Sequence, residues 1–150
     1  MNRLWFIAFT LLLIAIPARS ADSTAEDREG IRAAVLDYME GLYSADPSRI
    51  ERSVHPELNK RGFEPDKSGA YKEYKMTFDE LKSLAARWNK NGNRVKADSP
   101  REIVILDASD TTAVAKLNAV WGFDLMTLGK YGGKWKIVQI LWQTYPKSTP

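Results

Sequence analysis

The sequence predicts an α+β domain in which three helices come first and an antiparallel sheet follows. Apolar residues recur at helical spacing between residues 23 and 88, which predicts helices there. From Pro100 onward the period changes to two, and β-branched and aromatic residues predominate, as is typical of strands. After a leader-like N-terminus, about 130 residues remain, a length that suits one core. We therefore predict one domain over residues 21–150, with the helices on one face of the sheet.

The first twenty residues have the three-part pattern of a secretory signal peptide. Arg3 supplies the positive start, residues 4–16 are almost all apolar, and the small residues Ala18 and Ser20 precede a predicted cleavage after Ser20. An uncleaved membrane anchor is the alternative, but this apolar stretch falls short of the roughly 20 residues that span a bilayer. We therefore expect residues 1–20 to be removed and the domain to be exported, either periplasmic or secreted.

The composition excludes several classes of partner and chemistry. Without Arg3 and Arg19 of the leader, 20 Lys and Arg stand against 19 Asp and Glu, so the net charge is +1. The sequence has no basic stripe with interleaved aromatic residues, which argues against nucleic acid and membrane surfaces as partners. One His and no Cys exclude a disulfide framework and a conventional zinc site. No glycine-rich phosphate loop or GxSxG motif occurs, and we expect neither a metal nor a cofactor.

A long amphipathic helix is predicted at the start of the domain. Ser23 and Glu26 are three residues apart, as in the capping box that begins a helix. The apolar residues that follow fall on one stripe at 3.6 residues per turn. This stripe consists of Ile31, Val35, Tyr38, Met39 and Leu42.

Two further helices are predicted before the sheet. Asp46 followed by Pro47 is typical of an N-cap and a first helical position. Residues 56–76 are rich in Gly, Pro, Lys and Asp, which predicts a loop with at most two short strands. Thr77 and Glu80 form a second predicted capping box. The helix that it begins has one apolar face, made of Phe78, Leu81, Leu84, Ala85 and Trp88.

The second half of the chain predicts four strands. Gly132 and Gly133 form a two-residue hairpin turn between the last two, because both residues accept positive φ. Gly122 and Phe123 are the predicted turn before them. The strands cover residues 101–107, 112–121, 124–131 and 134–143.

Two blocks of sequence resemble a known family. They are "DYMEGLYSADPSRIERSVHPELNKR" at residues 37–61 and "GKWKIVQILW" at residues 133–142, and with the order of elements they resemble the putative lumazine-binding group of the nuclear transport factor 2-like superfamily. The resemblance implies a cone, in which a curved sheet wraps around the long first helix and leaves a pocket at its open end. This scaffold is similar to that of ketosteroid isomerases, scytalone dehydratases and limonene epoxide hydrolases, and also to that of pure binding modules. Fold alone therefore does not decide the function.

The hairpin turn fixes the register of the last two predicted strands by pairing the residues on either side of it. Counting outward places Met126 opposite Gln139 and Asp124 opposite Leu141. One face of this ribbon is expected to pack against the helices. It carries Asp124, Met126, Leu128, Trp135, Ile137, Gln139 and Leu141.

Asp124 is the first candidate for catalysis. A carboxylate among apolar side chains is costly to desolvate, and burial raises its pKa toward the range that a general acid or base needs. The alternative is a turn residue close to solvent, because Asp124 follows the predicted turn at Gly122, where Asp is favoured. Both interpretations stay open on the sequence alone.

Tyr38, Tyr43 and His55 are the other catalytic candidates. Tyr38 lies at the centre of the helical stripe and Tyr43 at its edge, although a buried tyrosine is also ordinary core packing. His55 is the only histidine, and it precedes Pro56, which disfavours helical geometry. It is therefore either the end of the second helix or a working residue. The resemblance supports the second interpretation, since related cone enzymes use a histidine with Tyr and Asp near the pocket mouth.

A second set of residues is predicted to bind a ligand. Lys60 and Arg61 belong to the matched block and are expected to hold an anionic group at the rim of the pocket. The remaining predicted ligand contacts are Tyr38, Trp121, Met126 and Gln139.

Two functions fit these candidates. The first is an exported, non-catalytic domain that binds a small organic ligand and forms a homodimer through its sheet. The second is a cofactor-free isomerase, dehydratase or hydrolase in which Asp124 is the base and Tyr38 or Tyr43 and His55 polarise the substrate. We favour the first, because every candidate residue also has a structural explanation. Convergence of Asp124, His55 and a tyrosyl hydroxyl on one cavity would favour the second.

Overall fold

A computed structural model describes residues 23–146, so the predicted signal peptide lies outside the described residues. The predicted fold class is confirmed: three helices pack on one six-stranded sheet. Within the described range, no helix combines the length and hydropathy needed to cross a membrane. The elements are α1 (Ala25–Tyr43), α2 (Pro47–Ser53), β1 (Val54–Pro65), β2 (Tyr71–Met76), α3 (Phe78–Trp88), β3 (Glu102–Ala108), β4 (Thr112–Ala119), β5 (Gly122–Tyr131) and β6 (Lys134–Thr144).

The helices form largely as predicted. The capping box of α1 uses Thr24 and Asp27, one residue later than the predicted Ser23 and Glu26, because the Thr24 hydroxyl accepts from the Asp27 amide. All five residues of the predicted stripe are buried. The caps of α2 at Asp46 and of α3 at Thr77 are confirmed.

The sheet has six strands, which agrees with the four predicted strands and the two allowed in residues 56–76, but it is mixed and not wholly antiparallel. Its strand order is β2-β1-β6-β5-β4-β3, and the pairing of β1 with β6 is parallel. The segment predicted as a loop with short strands contains β1, which is 12 residues long. Because α1 contacts β3, β4 and β6, the sheet wraps around this helix.

A β-bulge overturns the predicted register of the last two strands. Leu128 pairs with Ile137 as predicted, but Thr127 pairs with Gln139, so Val138 is an extra residue in β6. A shift of one residue exchanges the two faces of a strand. Trp135 and Ile137 therefore face the core as expected, whereas Gln139 and Leu141 lie on the exposed outer face. Beyond the bulge, Ile140, Trp142 and Thr144 occupy inward positions instead, with Ile140 buried.

The turn between β4 and β5 also lies two residues earlier than predicted. Val120 and Trp121 form it, and Gly122 already begins β5 with a φ of +145°. Asp124 consequently lies in the strand and is fully buried, so its interpretation as a solvent-exposed turn residue is wrong.

Candidate functional site

A cavity of about 630 Å³ opens at the end of the domain that holds the β4–β5 turn. Its volume lies within the range of small-molecule sites. Helices α1 and α3 supply apolar side chains, and β1, β2 and β6 supply mainly polar and aromatic ones. The lining residues are Tyr38, Leu42, Lys60, Glu64, Tyr74, Lys75, Met76, Leu81, Leu84, Trp88, Arg94, Val120, Trp121, Trp142 and Thr144.

Lys60 and Asp124 form a buried charged pair at the wall of this cavity. Lys60 Nζ lies 3.5 Å from Asp124 Oδ1 and donates a 2.9 Å hydrogen bond to the Tyr38 hydroxyl. Asp124 Oδ2 accepts a 2.9 Å hydrogen bond from Trp121 Nε1. Lys60, Tyr38 and Trp121 all line the cavity, whereas Asp124 has no exposed surface and lies behind them.

The hydrogen-bonding capacity of the Lys60–Asp124 pair is only partly used. No group among residues 23–146 donates a hydrogen bond to Asp124 Oδ1, since the 3.5 Å contact with Lys60 is an ion-pair distance without hydrogen-bond geometry. Burial raises the pKa of Asp124, and the neighbouring Lys60 partly offsets this. Burial also lowers the pKa of Lys60, which the Asp124 charge partly restores. The pKa of Tyr38 is raised by burial and by the same carboxylate.

An aromatic cluster forms one side of the cavity. Trp121 makes edge-on contacts with Tyr38, Tyr43 and Trp88, at ring-centroid distances of 6.2, 5.6 and 5.4 Å. The Tyr43 hydroxyl donates to the Pro100 carbonyl at 2.7 Å and accepts from the Val120 amide at 2.8 Å. Tyr43 therefore fixes the turn that carries Trp121, and both of its hydrogen-bonding roles are used in doing so.

Trp142 of β6 is the third indole that lines the cavity. The ring of Trp142 lies over Gly62, where an added Cβ would come within 2.0 Å of the indole, so only glycine allows this approach. Lys60 Nζ lies 5.5 Å from the centre of this ring and 5.4 Å from that of Tyr38. These distances are within the range of cation–π attraction.

The structure separates the predicted ligand residues into two groups. Tyr38, Trp121 and Lys60 meet at the cavity as predicted. Arg61 points to the outer face, where it is paired with Glu73 at 3.2 Å. Gln139 is exposed on that face because of the bulge. Met126 is buried in the core.

His55 lies far from the cavity, in β1 rather than at the end of α2. Its Nδ1 accepts from the Glu57 amide at 3.2 Å, and its ring centroid is 4.6 Å from that of Tyr131. Tyr131 is seven residues from Asp124 on β5, which at about 3.3 Å per residue corresponds to roughly 23 Å. Asp124, His55 and a tyrosyl hydroxyl therefore do not converge on one cavity.

Several lining residues were missed by sequence reasoning. Trp88 was identified only as a member of an apolar helix face. The predicted register placed Trp142 on the outer face, and Thr144 lay beyond the predicted end of the last strand. Arg94 follows α3 in a segment without regular structure, and its guanidinium carbon lies 5.4 Å from the Trp88 ring. No cluster of three or more His, Cys, Asp or Glu side chains suited to a metal ion occurs within residues 23–146.

A curved α+β cone with an aromatic cavity at its open end defines the class of this domain. The chain belongs to the family described as "Putative lumazine-binding", whose pattern matches residues 26–143. Among solved structures, it is similar to a nuclear transport factor 2-like protein of unknown function from Methylobacillus flagellatus, with 24% identity and a TM-score of 0.63. That match covers 84% of this chain and 98% of the other.

A second similar structure supports the same fold. It is a nuclear transport factor 2-like protein of unknown function from Shewanella baltica, with 21% identity and a TM-score of 0.61. The match covers 84% of this chain and all of the other, so the predicted fold is confirmed. Comparison with curated proteins gave no match.

Proposed function

We propose that this domain binds a small planar aromatic or heterocyclic ligand that presents a carbonyl or anionic oxygen to Lys60. One observation carries the proposal: a buried lysine lies on the wall of a cavity whose lining also includes three indole and two phenol rings. Lys60 Nζ has three N–H donors, and only one of them is used in a well-formed hydrogen bond, to Tyr38. Trp88, Trp121 and Trp142 offer ring faces and edges to a flat ligand.

The charges around the cavity support an electron-rich ligand. Lys60, Lys75 and Arg94 line it, and Glu64 is the one carboxylate among its lining residues, all of which lie within the described range. The description of the family names lumazine, a planar bicyclic heterocycle with ring carbonyls. Such a molecule has the shape and the acceptor oxygens that the proposal requires.

Two observations support binding without acid–base catalysis. Asp124 lies behind the cavity wall, where it holds Lys60 and Trp121 in place and has no surface of its own to offer a substrate. His55 lies at the other end of the sheet, and Tyr43 uses its hydroxyl to fix a turn. A general base must reach the proton that it removes.

Titration of tryptophan fluorescence with lumazine and with 2-naphthoate tests this proposal. We expect saturable quenching, because three indoles line the cavity. Replacing Lys60→Met together with Asp124→Asn should weaken binding at least tenfold without leaving an unpaired buried charge. Arg61→Met is the matched control, since Arg61 is the next residue but faces outward. Equal binding by all three proteins, or no saturable binding by the wild type, would contradict the proposal.

Export to the periplasm or the medium is also part of the proposal. The signal-like pattern of residues 1–20 supports it. Mass spectrometry of the protein purified from cells should find an N-terminus at Ala21. A protein that keeps Met1 and stays in the cytoplasm would contradict it.

We further propose that the outer face of the sheet forms a homodimer. Leu125 and Leu141 are paired neighbours there and are 39% and 42% exposed, and Val104 and Val114 lie on the same exposed face. Lys116 lies between Leu125 and Val104, so the proposal depends on several exposed apolar side chains that share one face of the sheet. Light scattering after size exclusion should give a dimer mass that Leu141→Lys reduces to a monomer mass. A monomeric wild type at tens of micromolar would contradict the proposal.

A further inference from the structure

Lys60 has an environment unlike that of a solvated lysine. It is 6% exposed, yet its side chain is part of the cavity wall. Its amine lies between the Tyr38 hydroxyl at 2.9 Å and the Asp124 carboxylate at 3.5 Å. The rings of Tyr38 and Trp142 flank it at about 5.5 Å. The arrangement combines an amine with a neighbouring carboxylate that can accept a proton, on the wall of a cavity that aromatic rings also line.

We propose that Lys60 forms a reversible imine with an aromatic aldehyde or ketone that enters the cavity. This inference rests on the proposed function, because it assumes that the cavity accepts a flat ring carrying a carbonyl group. It goes further by giving the ligand class a reactive carbonyl and by giving Lys60 a covalent role. Lysine amines that are desolvated in apolar pockets are the ones that form such adducts.

The groups around Lys60 account for each proton. The ammonium transfers one proton to Asp124 Oδ1, which accepts no hydrogen bond from any described residue. The free nitrogen lone pair attacks the carbonyl carbon, a C–N bond forms, and the π pair of the carbonyl moves to its oxygen. That oxygen takes up the proton lost from nitrogen, through the Tyr38 hydroxyl.

Loss of water completes the reaction. A second proton, returned from Asp124 through Tyr38, converts the hydroxyl into a leaving water, and the nitrogen lone pair forms the C=N bond. The product is a protonated imine and one water molecule, and the total charge is unchanged. The cationic imine then replaces the ammonium as the partner of the Asp124 carboxylate, so the buried carboxylate is not left unpaired.

Lys75 provides a comparison within the same cavity. It lines the cavity from β2 but is exposed to solvent. Burial lowers the pKa of Lys60, and each unit by which a lysine pKa falls raises the free amine near neutral pH about tenfold. Lys60 is therefore expected to react faster than Lys75 with a carbonyl compound that reaches both.

Reductive trapping tests the inference. The wild-type protein is incubated with 2-naphthaldehyde and sodium cyanoborohydride, which reduces an imine to a stable secondary amine, and the labelled lysines are identified by peptide mapping. We expect Lys60 to be modified several-fold faster than Lys75. Lys60→Arg keeps the positive charge but forms no imine, so it should lose this label, whereas Lys75→Arg should retain it.

Binding of 2-naphthoate, which has no aldehyde, separates this inference from the proposed function. If 2-naphthoate binds but the aldehyde labels Lys60 no faster than Lys75, the inference is wrong and the binding function stands. If 2-naphthoate does not bind and labelling is spread over exposed lysines, both are wrong. Peptide mapping of the wild type gives this answer even if Lys60→Arg does not fold.

Discussion

Two clusters built from the same three residue types lie near opposite ends of β5. In the hairpin-end cluster, Asp27 of α1 meets Lys130 and Trp135 beside the β5–β6 turn. Asp27 accepts four hydrogen bonds, from Lys130 at 2.6 Å, from Trp135 at 3.3 Å and from the backbone and hydroxyl of Thr24. The hydrogen bond from Lys130 is the largest of the contributions that hold the pKa of Asp27 far below its usual range.

The cavity-end cluster, made of Asp124, Lys60 and Trp121, has the opposite electrostatic character. Asp124 accepts one geometrically sound hydrogen bond, from Trp121, and is completely buried. Burial therefore outweighs the favourable partners and raises the pKa of Asp124, whereas it lowers the pKa of Lys60. The comparison shows that residue types alone do not decide whether a carboxylate–lysine–indole cluster stabilises the fold or forms a reactive site.

The largest expected effect comes from removing the lysine of each cluster. Lys60→Met leaves the Asp124 charge buried without its ion-pair partner, which should reduce the free energy of unfolding by about 3–5 kcal/mol. Lys130→Met should cost much less, because Asp27 keeps three hydrogen bonds. Urea unfolding at pH 7 measures both changes. Equal losses would show that the two clusters do not differ as described.

The next largest effect is expected from replacing the glycine that packs against a tryptophan at the cavity end, Gly62, compared with the one at the hairpin end, Gly30. An added Cβ at Gly62 would lie 2.0 Å from the Trp142 ring, and one at Gly30 would lie 2.7 Å from the Trp135 ring. Gly62→Ala should destabilise the fold by about 1–3 kcal/mol and displace a cavity wall. Gly30→Ala is in α1, where alanine is favoured over glycine by about 1 kcal/mol, so its net effect should be near zero.

Thermal unfolding and the 2-naphthoate titration distinguish these two glycine variants. Gly62→Ala should weaken binding, and Gly30→Ala should leave binding unchanged. Unaltered binding by Gly62→Ala would remove Trp142 from the proposed site.

The sequence predicted the parts of this fold that depend on local physics. The helical stripe from Ile31 to Leu42 and the cap at Thr77 follow from spacing and from short-range hydrogen bonds. The bulge at Val138 does not, because apolar residues occur at both odd and even positions after Ile137, so the pattern of β6 does not locate an extra unpaired residue. Because of this one extra residue, Trp142 lines the cavity and Gln139 lies on the outer face, the reverse of the predicted register.

The candidate site was predicted only in part for the same reason. Lys60 and Arg61 were grouped as one basic pair, although neighbouring strand residues point to opposite faces. Asp124 was placed on the buried face, but its contact with Lys60 joins β5 to a segment predicted as a loop. Pairing between segments more than 60 residues apart leaves no periodic signal in the sequence.

The pH dependence of stability sharpens the comparison further. Because the pKa of Asp27 is lowered by folding, its stabilisation is present above the unfolded pKa of about 3.9 and is lost as the pH falls below it. Wild type should therefore be more stable than Asp27→Asn at pH 6, and the difference should shrink below pH 4. Asp124 has the opposite effect on the pH dependence of stability. Because folding raises its pKa, the stability that it contributes decreases as the pH rises.

Urea unfolding between pH 2.5 and pH 6 measures these slopes. The Lys60→Met and Asp124→Asn double variant serves as the reference that lacks the cavity-end charges. A difference between wild type and Asp27→Asn that stays constant across this range would contradict the assigned role of Asp27.

His55→Asn should have the smallest effect of all, although His55 is the only histidine in the chain. Its imidazole contacts Tyr131 and accepts one amide hydrogen bond, both near the hairpin end of the sheet. Loss of this partly exposed ring contact should cost less than about 1 kcal/mol. Binding of 2-naphthoate and labelling of Lys60 should not change, because the cavity lies at the other end of β5. A selective loss of either, with unchanged unfolding, would place His55 in the site and revive the acid–base interpretation.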